Sequence, residues 1–192
     1  MYTAGFAVYI TLGRMKPPPR ETSAPAGSRV SALVPGSYFH DAWQVEAGDP
    51  NLSALGQFLR AVKSTPAWVS ACMTLRNQVV GLFGLKNLGS LQDVRTSKAA
   101  SEYKPGDRVG IFTVFENTAD EVLLGDKDKH LDVTLSVHRA PAADGLSAVV
   151  TVTTVVTVHN LLGRLYMIPV APMHRIIAPS VLRAVAAAPN AA

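Results

Sequence analysis

The apolar residues of this chain are spaced first with a helical period and then with a strand period. Between residues 52 and 63 they recur at i, i+3, i+4 and i+7, which predicts one amphipathic helix: Leu55, Phe58, Leu59, Val62. A second helix is predicted from Pro66 to Gly84, because Thr65 can cap it and proline suits the first helical position. Trp68 is then expected to anchor the corner between the two helices.

From residue 109 the apolar residues alternate with polar ones. This alternation predicts four strands joined by short turns, at 109–116, 121–125, 130–138 and 148–159. Short connections favour antiparallel neighbours. An earlier strand is expected around Trp43. In the strand at 130–138 the odd-numbered residues, Leu131 to Val137, are predicted to be buried, and the even-numbered residues are predicted to face water.

The chain closes with an apolar segment that predicts a terminal helix. Pro172 suits the start of this helix, and Pro179 is expected to bend or split it near Arg175. The expected buried stripe is Met173, Ile176, Ile177, Ser180, Ala184. The element order predicts an α+β fold, in which a curved antiparallel sheet wraps around a long C-terminal helix and two short helices follow the first strand. Such a sheet can enclose a cavity between its inner face and the helix.

Charge and composition limit the function classes. The chain has 192 residues and a net charge of +4, but residues 1–29 hold four basic residues and one acid, so the remainder is nearly neutral. Without a clustered Lys/Arg stripe, we expect no nucleic-acid binding. The 13-residue apolar opening is too short to span a bilayer, and its basic residues follow it, unlike those of a signal peptide. We therefore expect no membrane span and a cytoplasmic location.

The division of the chain follows the same patterns. Residues 1–28 are predicted to be a flexible leader, because they lack periodicity and are rich in proline and small residues, and Met15 is an alternative start. A single domain is expected at 29–187 and a short tail at 188–192.

Three segments carry a family resemblance: PAWVSACMTLRNQVVGLFGLK, EVLLGDKDKHLDVTLSV and VTVTTVVTVHNLLGRLYMIPVAPMHRIIAP. Together they resemble the uncharacterised bacterial family catalogued as domain of unknown function 2867, over most of residues 30–185. Met173 stands where an aromatic residue is expected, which affects pocket shape and not the fold. The resemblance implies the helix-grip fold of the START and birch-pollen-allergen superfamily and an association with Rossmann-type reductases. It implies no particular activity.

The sequence contains no pattern that predicts a metal or cofactor site. Asp126, Asp128, His130 and Asp132 alternate, but the sixth and twelfth positions of this segment lack the Gly and Glu of a calcium loop. The histidines are too dispersed for a zinc pattern, and neither G-x-S-x-G nor G-x-G-x-x-G occurs. The segment is interpreted as a charged hairpin with solvated carboxylates; the alternative is a structural pairing of Asp132 with a base.

A polar cluster before the terminal helix has two interpretations. In the first, Asn160 and Gly163 turn the chain and Arg164 pairs with an acid, either Asp132 or Glu116. In the second, Arg164 with His159 or Tyr166 fixes the polar end of a ligand.

These patterns leave three hypotheses for the function. The first is a protein that binds a small apolar ligand in an internal cavity with these residues: Leu131, Val133, Leu135, Val152, Thr154, Val156, Met173, Ile177, His159, Arg164, Tyr166. The second is a cyclase- or dehydratase-type enzyme, with His130 and either Asp132 or His159 as acid and base. The third is a structural or partner-binding module.

Overall fold

One antiparallel sheet of seven strands forms the centre of the protein. The structure is a computed structural model, which describes residues 17–82 and 98–187. The sheet is curved and has the order β1-β2-β7-β6-β5-β4-β3. Its strands are β1 (Arg20–Glu21), β2 (Phe39–Glu46), β3 (Arg108–Val109), β4 (Phe112–Asn117), β5 (Glu121–Lys127), β6 (Leu131–Pro141) and β7 (Ala148–Val158).

Two of the three described helices pack against this sheet. The three helices are α1 (Ala54–Lys63), α2 (Ala67–Leu82) and α3 (Leu161–Ala186), with short 3-10 turns at Arg29–Leu33 and Ala100–Glu102. Helix α3 packs against β2 and β7, and α1 packs against α3, β5 and β6. The predicted α+β fold, a curved antiparallel sheet with a long C-terminal helix, is confirmed.

The inner face of the sheet is the side that packs against α1 and α3. Alternation along β6 places Leu135 and Val137 in this core, as predicted. Val122 and Leu124 of β5 and Val150 of β7 join them there. Burial of these branched side chains, at roughly 25 cal/mol per Å² of apolar surface, is the main stabilising contribution of the sheet.

The outer face differs from the prediction, because the side of β6 expected to face water is covered. Ser136 is fully buried and Thr134 is 9% exposed. The segment that covers them includes Ser28 and the fully buried Val30. A carboxylate, Glu121, links this segment to the sheet.

Glu121 accepts hydrogen bonds from three groups of two distant segments. The hydroxyl groups of Ser28 and Ser136 both donate to Oε1, and the backbone N–H of Arg29 donates to Oε2 at 3.0 Å. Burial alone would raise the pKa of Glu121, but the hydrogen bonds from Ser136, Ser28 and Arg29 outweigh it and lower that pKa below its ordinary value. The ionised carboxylate therefore holds the N-terminal segment against the outer face.

Part of the predicted leader belongs to the sheet. Arg20 and Glu21 form β1, which pairs with Gln44 and Trp43 of β2. Residues 1–16 and 188–192 lie outside the described residues, so the flexible leader and tail stay predictions for those parts of the chain.

The start of α2 corrects two predictions. The hydroxyl of Thr65 donates to the carbonyl of Val62 and so closes α1 instead of capping α2. Pro66 is the residue whose carbonyl accepts the first bond of α2, from the N–H of Val69. Trp68 is 42% exposed and is not the predicted anchor; Val69 is the fully buried residue of this turn. The end of the predicted helix, from 83 to 84, lies outside the described residues.

Helix α3 begins at Leu161, well before the predicted start at Pro172. Asn160 is its N-cap, and the Asn160 side chain accepts a hydrogen bond from the N–H of Gly163 at 3.1 Å. A proline inside a helix leaves the carbonyl four residues earlier without its donor. For Pro169 and Pro172 those carbonyls belong to Leu165 and Ile168, which are both exposed. The helix therefore continues through them.

The buried stripe of α3 also differs from the predicted one. Gly163, Met167, Leu182 and Val185 are buried, and His174 lies on the same side of the helix. The predicted stripe is rotated away from the sheet, so Met173 and Ile176 are exposed and Ile177, Ser180 and Ala184 are half-buried.

Candidate functional site

A carboxylate stands on the apolar inner face of β2. Phe39, Asp41, Trp43 and Val45 alternate toward the helices, and the side chain of Asp41 is only 1% exposed. Thr154 lies directly opposite Asp41 on β7. A charged side chain in this position needs hydrogen-bond partners, because burial of an unpaired carboxylate costs several kcal/mol, on the order of a protein's total stability.

Two ring nitrogens contact the same oxygen of Asp41. His174 Nδ1 lies 2.9 Å from Oδ2, and the indole Nε1–H of Trp43 donates to Oδ2 at 3.2 Å. Since a carboxylate accepts, Nδ1 of His174 carries the donated proton, and in the neutral imidazole Nε2 is then the acceptor. Nε2 lies 3.4 Å from the hydroxyl of Thr154. Thr154, His174 and Asp41 thus form a hydroxyl–imidazole–carboxylate series.

The imidazole of His174 is held but not enclosed. Its side chain is 27% exposed, compared with 1% for Asp41. The ring of Phe39 meets it edge to face, with 5.8 Å between the ring centroids. Asp41 therefore fixes the orientation of an imidazole that solvent, or a small molecule, can reach.

The second oxygen of Asp41 has no partner. Among the described residues, three buried side-chain atoms lack a hydrogen bond: Asp41 Oδ1, Gln57 Oε1 and Thr153 Oγ1. Such atoms are uncommon in folded proteins because each one carries an uncompensated desolvation cost. Two of the three belong to residues that line one depression.

This depression lies beside β2, mainly on the outer side of the sheet, where His40, Ala42 and Thr153 line it; Asp41 is also a lining residue, and His174 is not. We call it the edge pocket; it has a volume of about 570 Å³. Its walls come from the N-terminal segment, β2, β7 and α3. They are Glu21, Thr22, Ser23, Ala24, Ser31, Val34, Pro35, His40, Asp41, Ala42, Thr153, Arg175. A second depression of about 610 Å³ lies between α1 and the end of α3, around Arg60 and Ala184.

Arg175 is the arginine of the edge pocket, which is also lined by the acidic residues Glu21 and Asp41. It follows His174 on α3, is exposed, and has no ion pair or hydrogen bond with any described residue. Its guanidinium group carries five donors and suits a carboxylate or another planar anion. Ala24, Val34 and Pro35 form the apolar part of the pocket lining.

The predicted ligand-binding residues are spread over the core, the half-buried surface and the exposed side of α3. Leu135 and Val152 pack in or against the core, and Val156 and Thr154 are buried beneath α3. Met173 is exposed. The remaining apolar members are half-buried: Leu131, Val133, Ile177. Neither described depression is lined by any of the predicted residues. Thr154 is the predicted residue that contacts the Asp41–His174 pair.

The polar residues of the predicted site also lie apart from one another. Arg164 is exposed on α3 and has no ion pair with Asp132 or Glu116; Asp132 pairs with His159 at 3.1 Å, and Glu116 pairs with Arg29. Asp132 lies on the outer face of β6, on the opposite side of the sheet from α3. Asp132 and His159, each considered as a partner of His130 in an enzyme, therefore pair with one another at the surface.

Tyr166 and His130 also have other partners. The hydroxyl of Tyr166 accepts a hydrogen bond from Arg76 Nε at 3.0 Å, and the guanidinium of Arg76 lies over the tyrosine ring at 5.4 Å from its centroid. The ring of His130 contacts the side-chain amide of Asn160. Tyr166 thus connects α2 to α3, and Asn160 caps α3 at the turn between β7 and that helix.

The alternating acids of β5 and the following turn do not form a metal site. Asp128 Oδ1 accepts the N–H groups of His130 and Leu131, at 2.6 and 3.0 Å, which is a local turn. Asp126 pairs with Arg108 at 3.8 Å. Within the described part of the chain, no group of three or more metal-ligating side chains is brought together.

Sequence reasoning missed Asp41, His174 and Arg175 as a site. The available signal was the single carboxylate in the apolar row of β2, together with the only histidine of the terminal helix. No local motif can contain both residues, because 133 positions separate Asp41 from His174.

Comparisons with known proteins identify a family without adding chemistry. The family described as "Protein of unknown function (DUF2867)" matches residues 33–181, more than three quarters of the chain. No curated protein matches the chain. No solved structure matches it either.

Proposed function

The chain belongs to the DUF2867 family, and we propose that it binds a small organic molecule in the edge pocket, beside Asp41 and His174. This proposal rests on Asp41, whose side chain is 1% exposed. One carboxylate oxygen accepts a hydrogen bond from His174, and the other has no hydrogen-bond partner. Asp41 also lines a pocket of about 570 Å³. Pockets for small ligands have volumes of roughly 300 to 1,000 Å³.

The chemistry of the walls defines the ligand class. Arg175 has no ion-pair partner among the described residues and favours an anionic group such as a carboxylate. Ala24, Val34 and Pro35 favour an apolar body. We therefore propose a ligand with an apolar body and one anionic group. Arg175 takes the role that the sequence suggested for Arg164, which α3 directs into solvent.

The Asp41–His174 pair gives the site a fixed geometry. Ordering a flexible side chain on binding costs about 0.5–1.5 kcal/mol, and a partner that holds the side chain in advance removes much of that cost. Asp41 performs this task for His174, and His174 in turn fixes the turn of α3 that carries Arg175.

The fluorescent dye 8-anilinonaphthalene-1-sulfonate tests this proposal, because it combines an apolar body with an anionic group. Arg175→Gln should weaken dye binding by a factor of about 10 to 150, since a charge-assisted hydrogen bond contributes roughly 1.5–3 kcal/mol. Arg164→Gln is the matched control: it removes an arginine from the same helix outside the edge pocket and should leave the affinity unchanged. Equal affinities for both variants would contradict the proposal.

Occlusion of the pocket provides a second readout. Ala24 is half-buried and lines the edge pocket, and Ala26 is an exposed residue of the same segment outside it. Ala24→Trp should abolish the saturable dye signal, and Ala26→Trp should not. Dye bound with the parent affinity by the Ala24→Trp variant would place the site elsewhere.

A second candidate function is acid–base catalysis by His174. The series Thr154–His174–Asp41 favours it, because a buried carboxylate that orients a more exposed imidazole is the arrangement of a general base. In this role Nε2 of His174 would accept a proton from a bound substrate. The test is to incubate any small molecule retained by the protein with the parent and with His174→Gln: conversion by the parent alone supports an enzyme, and conversion by neither supports a binding protein.

A further inference from the structure

Helix α3 presents a continuous apolar stripe to solvent. Leu161 and Ile168 are 70% and 66% exposed. With three further exposed residues they follow one another at spacings of four, three, four and four positions, so they share one side of the helix: Leu161, Leu165, Ile168, Pro172, Ile176. The stripe extends about 22 Å, at about 1.5 Å per residue.

The described part of the fold leaves this apolar surface uncovered. Among the described helices, α3 is long and apolar enough to cross a membrane by length and composition, and only 11% of its most apolar window is buried. The opposite side of α3 nevertheless packs on the sheet through Met167, His174 and Val185. A helix fixed to the domain in this way has one apolar side free for a flat partner, while its other side stays in the core.

The charges beside the stripe all have one sign. Arg164, Arg175 and Arg183 are exposed on α3, and residues 161–186 contain no Asp or Glu. The sequence of neighbouring α2 also contains no acid, and α2 exposes the large apolar side chains of Trp68 and Leu75.

We propose that this side of α3 lies on an anionic lipid surface. An apolar stripe bordered by arginines is the composition of helices that lie in the plane of a membrane, with the apolar side chains between the lipids and the cations at the head groups. A second copy of the chain is a poorer partner. A two-fold interface packs the surface against its own copy, so the arginines of both copies would meet a helix that offers no acid to pair them.

Sedimentation with vesicles tests this inference. The full chain should sediment with vesicles of phosphatidylcholine and phosphatidylglycerol, should do so much less with phosphatidylcholine alone, and should be released by added salt. The variant Leu165→Glu/Ile168→Glu should lose at least about tenfold in partitioning, because it places two charges where apolar side chains enter the lipid. Leu146→Glu is the matched control, since Leu146 is 85% exposed but lies in the turn between β6 and β7.

The result can overturn the proposal in two ways. Both substituted positions on α3 are exposed, so the melting temperature of the double variant should stay close to that of the parent and confirm that it is folded. Failure of the parent to sediment, or equal sedimentation of the double variant, would contradict a lipid surface. If light scattering shows a parent dimer that the double variant dissociates, the partner is a second copy of the chain and the proposal is wrong.

Discussion

His174 and Asp41 are 133 positions apart in the chain, and 2.9 Å separates Nδ1 of the imidazole from Oδ2 of the carboxylate. The pair connects the middle of α3 to the edge region of the sheet, where Phe39 and Thr154 also contact the imidazole. The pair should therefore stabilise the fold whether or not a ligand is bound.

Removal of the imidazole should destabilise the protein. His174→Leu leaves the buried carboxylate of Asp41 without its main partner, at a cost of about 3 kcal/mol in the free energy of unfolding. His159→Leu is the control, because the His159–Asp132 pair is exposed and such pairs contribute about 0–1 kcal/mol. Urea unfolding measures both values. Equal losses would show that Asp41 is not an uncompensated charge in the His174 variant.

Glu121 should make the protein sensitive to acid. Its folded-state pKa is lowered, so its stabilising contribution is complete above the ordinary value of 4.5 and is lost as the pH falls through the folded-state pKa. Glu121→Gln should be less stable than the parent at pH 7 and should lose less stability between pH 5 and pH 3, as measured by urea unfolding at each pH. An unchanged acid dependence in this variant would contradict the role given to Glu121.

Truncations should separate the two parts of the N-terminus. Deletion of residues 1–14 should leave the melting temperature essentially unchanged, as the sequence predicts. Deletion of residues 1–33 should lower it strongly, because it removes Ser28 from Glu121 and the fully buried Val30 from the outer face. Differential scanning calorimetry compares the two proteins. Similar melting temperatures would show that the covering segment does not stabilise the sheet.

Gly163 should tolerate no side chain. A Cβ at this position would clash with the backbone carbonyl of His130 and lie 2.9 Å from Cγ1 of Val158. Gly163→Ala should therefore cost about 1–3 kcal/mol, as overpacking does. Gly27→Ala is the control, since a Cβ there meets nothing within 4 Å. A stable Gly163→Ala variant in thermal unfolding would mean that the start of α3 can move away from the sheet.

The parts of the fold that the sequence predicted are those with a regular period. The stripe of α1 and the inner row of β6 follow helical and strand spacing, and Leu55 and Val137 are buried as expected. The start of α3 at Leu161 could not be predicted from local rules. Those rules do not allow a helix to continue through Pro169 and Pro172. They fit here because the carbonyls that they leave free belong to exposed residues, Leu165 and Ile168.

The candidate site was less accessible to sequence reasoning, because tertiary contacts create it. Ser136 faces the outer side as alternation requires, but the distant Ser28 covers that side, so polarity did not indicate exposure. The same applies to Asp41, whose partner lies on an element at the other end of the chain.

A native mass spectrum of the freshly purified full chain shows whether the edge pocket beside Asp41 holds a small molecule. We predict that the parent retains a small organic anion that denaturation releases, and that Ala24→Trp, which fills the pocket, retains none while Ala26→Trp does. If the parent carries no bound molecule, or if Ala24→Trp retains the molecule equally well, the edge pocket is not a ligand site.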